Sequence, residues 1–391
     1  MTPVRVGIIG GGIVGPVAAI LLKQQGYDPV IFERNDTRSE AGIGLGIQRN
    51  GLLVLQRIPG LVESLAGHTL DYFHFYSTLA EDSGVLGQLD GPKRRREQTG
   101  VGTIGIRRSV LQLALISAAE RAGVEIRWGH HLNTLEQTED GVTLSFANGA
   151  RETVSFVVGC DGLHSDTRKA LFGEERADYT GLTQTGGFAP MPEQYRGTST
   201  AISVFGDGLP VDETTMSWAV TAREPEAKET WRAMDDAAAE DFKRASPVAQ
   251  WDHGAGELVR NGVNVTKYGL YDRPELPTWH KGRVVLIGDA AHPTSPHLGQ
   301  GANQAFEDAG ALADLLAAHA PAAEPTTTAA LEAAFQELEA ARIPRTTFLV
   351  KRAREQGETR VVHGVPACVE RNEFYRKLLA DEALMRQWFA A

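Results

Sequence analysis

Cysteine is almost missing from this chain of 391 residues, with only Cys160 and Cys368 present and no C-x-x-C pair between them. That argues against a redox dithiol and a cysteine-based zinc site, and it points to a reducing compartment. No apolar run reaches the roughly 18 residues that a membrane span needs. The N-terminus runs straight into a strand pattern and leaves no room for a signal peptide, so a cytoplasmic protein with no membrane span is expected. Basic residues are in deficit: 39 Lys and Arg stand against 50 Asp and Glu, for a formal net charge of -11. Nucleic acid is therefore not an expected partner. The one basic cluster, Lys93-Arg94-Arg95-Arg96, follows Gly91-Pro92 and reads as a solvated loop. No metal-ligand spacing and no internal repeat are visible.

Glycine, in contrast, is plentiful, and its placement is informative. The chain opens Val4-Arg5-Val6-Gly7-Ile8-Ile9-Gly10-Gly11-Gly12-Ile13-Val14-Gly15 and later reads Val30-Ile31-Phe32-Glu33. An apolar run, a G-x-G-x-x-G turn, a helical stretch, a second apolar run and an acid together describe a βαβ unit that grips a dinucleotide. Gly10 permits the tight turn, Gly12 lets a diphosphate approach the backbone, and Gly15 lets helix and strand pack closely. The phosphates then meet free N–H groups at the positive end of the helix. Glu33 accepts from ribose hydroxyls and repels a 2′-phosphate, which favours NAD or FAD. The contacts expected from this unit are Gly10, Gly12, Ile13, Val14, Gly15, Glu33 and Arg34. A second G-x-G-x-x-G, Gly100 to Gly105, follows Arg96-Glu97-Gln98-Thr99 rather than a strand and has no acid at the required distance. It reads as coincidence.

Hydrophobic periodicity predicts helices over 13–26, 50–58, 108–122 and 302–318, and another near 226–234. Strands are expected at 28–33, 72–76, 124–128, 142–146, 154–158 and 284–287. The stretch from Gly181 to Tyr268 reads as strand-rich. The tail reads as helical, broken near Pro344 and again around 361–366. These patterns predict an α/β protein with a discontinuous Rossmann-type lobe (1–70, 100–180 and 270–320), a sheet-rich lobe (71–99 and 181–269) and a helical C-terminal segment (321–391).

Three further segments carry chemistry: Ile106-Arg107-Arg108-Ser109-Val110-Leu111; Val157-Val158-Gly159-Cys160-Asp161-Gly162-Leu163-His164-Ser165; and Arg283-Val284-Val285-Leu286-Ile287-Gly288-Asp289-Ala290-Ala291-His292-Pro293-Thr294-Ser295-Pro296-His297-Leu298-Gly299-Gln300-Gly301-Ala302-Asn303. With the N-terminal fingerprint, and in this order, the chain resembles the single-component FAD-dependent aromatic hydroxylases, the para-hydroxybenzoate and salicylate hydroxylase superfamily, over residues 1 to about 318. The resemblance implies bound FAD, NADH or NADPH as co-substrate, and oxygen transfer through a flavin C4a-hydroperoxide. It implies a small aromatic, heterocyclic or polyketide substrate, hydroxylated or epoxidised. Carried over by motif, Arg108 reaches the FAD phosphates or ribityl chain, and Asp161 and Gly162 serve both nucleotides. Gly288 and Asp289 meet the ribityl hydroxyls, Pro296 lies beside the reactive carbon of the flavin, and Gly299, Gly301, Ala302 and Asn303 meet its pyrimidine end. Gly46 belongs to a matching flavin-side loop, although Arg49 stands where proline is usual and no histidine base is present there. No catalytic base is identified; His292, His297 and His164 read as structural. Tyr76, Phe188, Phe205 and Trp218 are candidate substrate contacts. A flavin oxidase or dehydrogenase without oxygen transfer is the alternative. A halogenase would need a W-x-W-x-I-P segment and a disulfide reductase a cysteine pair, and neither occurs. The chain is expected to act as a monomer or homodimer.

Overall fold

The computed structural model describes residues 3–38, 42–228, 234–273 and 275–389. Its centre is a six-stranded sheet in the order His280–Lys281, Val284–Leu286, Phe156–Gly159, Arg5–Ile9, Asp28–Phe32, Glu125–Arg127. All neighbours are parallel except the antiparallel pair at the His280–Lys281 edge. Strands buried on both faces must be nearly continuously apolar, and Val6, Ile8, Val30, Ile31, Val157, Val158, Val284 and Val285 are all fully buried. On one face the helix Val14–Gln24 packs with Gly301–His319 and Thr328–Arg360; Val17, Ile20, Leu21, Phe306, Leu312, Phe335 and Leu338 share one core. The other face is covered by a three-stranded antiparallel sheet, Leu132–Gln137, Val142–Phe146 and Arg151–Val154, whose Leu132, Leu144 and Phe146 meet Phe32 and Trp279.

A seven-stranded sheet follows the order Val263–Asp272, Asp178–Pro190, Thr215–Arg223, Gly206–Pro210, Thr200–Ser203, Tyr72–Ser77, Gly84–Leu89. It is antiparallel except where Thr200–Ser203 runs alongside Tyr72–Ser77. Val248, Leu258, Val259 and Ala239 back one side of it. A small sheet of Gly44–Ile47, Ile104–Arg107 and His68–Thr69 bridges the two large ones: a Cβ at Gly105 would lie 1.9 Å from the Pro210 carbonyl oxygen, and the Gly44 amide donates to Ser217 Oγ at 2.9 Å.

The α/β class and helical tail agree with the sequence reading, and three local expectations are corrected. The basic cluster is a helix, Gly91–Thr99, with Pro92 in its first turn, where its missing N–H costs nothing. Arg96 grips Asp71 with two bonds of 2.9 and 2.7 Å. The expected strand 154–158 is two strands in different sheets, divided at Ser155. The helix does not break at Pro344 but runs unbroken from Thr328 to Arg360. Proline removes one backbone bond there, and packing on both sides of it (Phe335 and Leu338 before, Leu349 and Val350 after) outweighs that loss. The helix expected near 226–234 falls partly on residues outside those described; a helix is present at Asp236–Ala245, capped by Asp235 accepting from the Ala238 amide at 2.8 Å. No helix among the described residues is long and apolar enough to cross a membrane.

Candidate active site

The first strand leaves the sheet at Gly10, whose φ of 107° is open to glycine and strained for other residues. A Cβ there would stand 2.6 Å from the Cys160 carbonyl oxygen, and one at Gly15 would stand 2.0 Å from that of Gly10. At Gly12 a Cβ would meet nothing within 4 Å, and the position is open. The helix Val14–Gln24 begins here with no acid in its first turn, leaving its positive end to an anion. Glu33, buried at the end of the second strand, accepts from the Gly11 amide at 2.7 Å, the Asn35 amide at 2.9 Å and Asn35 Nδ2 at 2.7 Å.

A cavity of about 1280 Å³ starts at this turn and passes between the lobes. That exceeds the roughly 300–1,000 Å³ of a pocket for one drug-sized ligand. Gly10, Gly12, Ile13, Val14, Glu33, Arg34, Gly46, Arg108, Asp161, Gly162, Asp289, Pro296, Gly299, Gly301 and Ala302 all line it. Three residues expected with them do not. Gly15 is consumed by helix–strand packing. Gly288, at φ 61°, packs against Ala305. Asn303 is fully buried and clamps two loops, accepting from the Gln48 amide at 2.9 Å and donating to the carbonyls of Gly46 at 3.0 Å and Gly299 at 2.7 Å.

Asp289 opens onto the cavity deep inside the protein, and burial raises its carboxyl above the usual range against the pull of His292 and Arg108. Arg108 is lowered by burial, offset in part by Asp289 and Glu33. Asp161 is raised by burial although it accepts from Ser165 Oγ at 2.5 Å and from the Thr167 amide and hydroxyl at 2.9 Å each. Ser165 in turn accepts from the Arg168 amide at 2.8 Å, the capping role its position suggests. His292 is structural: its Nε2 meets Asp308 Oδ2 at 2.5 Å, and Asp308 also accepts from the Gly288 amide at 3.0 Å and Arg342 Nε at 2.7 Å. The helix Gly301–His319 starts without an acid in its first turn, and its Gly301 and Ala302 line the same cavity as Glu33.

Beyond that helix start the wall changes character. Phe73, Phe75, Trp218, Gln184, Gln356 and Arg360 line it. None of the four aromatic candidates turns its ring into the cavity: Trp218 borders it, but its ring packs with Met216, Val220 and Phe242 on the opposite face of the sheet. Tyr76 points to the other side of its strand, stacked on His253 at 4.1 Å, because neighbouring strand residues face opposite ways. Phe188 sits beyond a register shift and lies under Arg107 at 4.5 Å. Phe205 occupies a hairpin turn at φ 53°, covered by Arg371 at 3.3 Å. Arg360 and Gln356 were not anticipated. They stand four residues apart on the last turn of a helix beyond the recognised motifs, and their shared face is the only sequence signal. His297, read as structural, also lines this end.

Comparison with known proteins follows the same lines. A family model described as an FAD binding domain matches residues 3–334. The 3-amino-4-hydroxybenzoate 2-monooxygenase of Streptomyces cremeus is 29% identical over 375 residues, 95% of this chain and 92% of that protein. The 6-hydroxynicotinate 3-monooxygenase of Pseudomonas fluorescens is 29% identical over 325 residues, 80% of this chain and 82% of that protein. The crystal structure of Klebsiella pneumoniae HpxO complexed with FAD and uric acid superposes with a TM-score of 0.83 at 22% identity, covering 99% of this chain and 97% of that one, which shows a common fold.

Proposed function

The chain belongs to the FAD binding domain family, and from that membership we propose that it is an FAD-dependent monooxygenase using NADH or NADPH and oxygen to hydroxylate a small aromatic or heteroaromatic ring. The observation that carries this reading is one cavity joining a dinucleotide cradle to a chamber walled in part by Phe73 and Phe75. The names of the two monooxygenase relatives support it.

The residues present fit FAD. Gly10, Gly12 and the start of Val14–Gln24 would receive the diphosphate, and Glu33 has an acceptor site left for the adenosine ribose. Arg108 and Asp289 would meet the ribityl chain. The free amides opening Gly301–His319 would face the pyrimidine edge of the ring, where a helix N-terminus favours the negative charge of the reduced state. Bound FAD supplies hydride acceptance and oxygen activation. The protein orients the substrate and keeps water from the reacting atoms: Phe73 and Phe75 give flat apolar walls, and Gly299 and Gly301 keep side-chain bulk away. Unpaired cysteines suit a reducing, cytoplasmic setting, and the protein acts as a monomer or homodimer.

Purified protein should be yellow. It should oxidise NADH or NADPH faster with a suitable phenol or N-heterocycle and yield a product heavier by one oxygen atom. Protein that takes up no FAD would overturn the reading. NAD(P)H oxidation yielding peroxide but no oxygenated product across such a panel would favour an oxidase.

A further inference from the structure

Resting on the monooxygenase reading, the balanced reaction makes a demand on the fold. A ring C–H, oxygen, NAD(P)H and one proton give a ring C–OH, water and NAD(P)+. Oxygen gains four electrons, two from the nicotinamide and two from the ring carbon, as the O–O and C–H bonds break and a C–O bond forms. Each turnover therefore draws one proton from solvent into a chamber built to exclude water.

The wall of that chamber is thin at one place. A second pocket of about 280 Å³ lies behind it, and Ser295 and His297 line both spaces. Its rim includes Asp178, Arg354 and Glu358, all exposed, so the pocket reaches solvent. At roughly 30 Å³ per molecule it has room for several waters. Ser295 and His297 are buried, yet Ser295 Oγ and both ring nitrogens of His297 have no hydrogen-bond partner among the described residues. Buried polar groups are normally satisfied, and three unsatisfied atoms in one partition single it out. Gly357 on the helix behind makes room for the imidazole where it stands: a Cβ there would lie 2.6 Å from His297 Cδ2 and 2.7 Å from Nε2.

We propose that His297, with Ser295 beside it, is a gated proton passage linking the substrate chamber to the second pocket and so to solvent. Burial, reinforced by the Arg360 charge, pushes the imidazole down to about 3, so the ring is neutral in the working range. A neutral imidazole has one donor and one acceptor nitrogen. It takes a proton on one side as it gives one up on the other, and a turn of the ring beside Gly357 brings the newly protonated nitrogen round to the chamber for the next transfer. The ring is never required to keep a net charge beside Arg360.

The test is steady-state turnover of the FAD-loaded wild type, His297→Ala and Ser295→Ala in H2O and D2O, with and without added imidazole. Losing a proton-transfer group lowers rates by about 10²-fold or more. His297→Ala should lose kcat on that scale, keep its flavin spectrum and KM for the aromatic substrate, show a larger solvent isotope effect on kcat, and recover with imidazole. Ser295→Ala should show a smaller loss with the same isotope signature. An unchanged kcat, a change in KM alone, or a loss that imidazole does not restore and that leaves the isotope effect unmoved would overturn the assignment. If His297→Ala does not retain FAD, Ser295→Ala decides: a larger isotope effect supports the passage and an unchanged one overturns it. Wild-type turnover, measured first, separates the two levels, because its absence overturns the monooxygenase reading and this assignment with it.

Discussion

Replacing Glu33 by Gln separates two functions of one side chain. A carboxylate offers about four lone-pair sites. Three are taken by the Gly11 amide, the Asn35 amide and Asn35 Nδ2, leaving about one for a ribose hydroxyl. Gln keeps a single acceptor oxygen. If that oxygen stays with Asn35, the new NH2 faces the Gly11 N–H, and two donors oppose each other at the diphosphate turn. The Gly11 bond is lost with or without cofactor and so lowers the stability of the apoprotein. The ribose bond is lost only in the complex and so lowers affinity. A hydrogen bond to a charged group contributes about 1.5–3 kcal/mol, and 1.4 kcal/mol is a factor of ten in Kd. FAD affinity should therefore fall by roughly 10- to 100-fold. The assay is titration of apoprotein with FAD and, separately, with FMN, which lacks the adenosine ribose, alongside melting curves of the apo forms. FAD should be penalised more than FMN. A variant whose apo form melts early while its FAD Kd is unchanged would refute the ribose contact and leave Glu33 as a brace for the turn.

Asp308→Asn should cost about 3–5 kcal/mol, the range for breaking a buried ion pair, because it disrupts the bonds to Arg342, His292 and the Gly288 amide; an early melt with weak FAD retention is expected, and a near-neutral effect on chemical denaturation would contradict it. Gly357→Ala gains about 0.5–1 kcal/mol of helix propensity but overpacks against His297 at a cost of about 1–3 kcal/mol; a more stable protein with wild-type kcat would show that the ring gives way freely. Glu339 accepts from Thr278 Oγ1 at 2.8 Å, the Trp279 amide at 2.5 Å, the His280 amide at 3.0 Å and His280 Nδ1 at 2.6 Å. Although burial works the other way, these bonds hold its carboxyl below the usual range. A depressed folded value adds stability that is present above the unfolded value of about 4.3 and is lost as pH falls through the folded one. Glu339→Gln should therefore be destabilised by about 1–3 kcal/mol at neutral pH, with the gap to wild type closing below pH ~4; a gap that is constant with pH would rule out the charge as its source.

What was legible in the sequence, and what was not, follows the range of the interactions. The turn at Gly10, the acid at Glu33, the cap at Ser165 and the strand before Asp289 are each written within one strand–turn–helix unit, where a glycine or a capping residue has a local reason to be present. Residues lining the opposite end of the cavity come from four distant segments. Phe75 and Tyr76 are adjacent aromatics of similar pattern, and only packing against Tyr375 or His253 decides which one faces the cavity. The shift in pairing between Gly186 and Phe188 changes what Phe188 meets without any local mark. Arg360 lines the cavity from the end of a 33-residue helix, held by an ion pair to Asp207 at 2.7 Å, a contact between residues with no sequence relation. A cradle built on backbone amides tolerates few substitutions and many side chains elsewhere, whereas a chamber built from side chains can be changed one residue at a time. Substitutions at Phe73, Phe75, Gln184, Gln356 or Arg360 should thus alter which ring is accepted while leaving FAD in place, and changes at Gly10, Gly12 or Glu33 should lose the flavin before they alter any preference among rings.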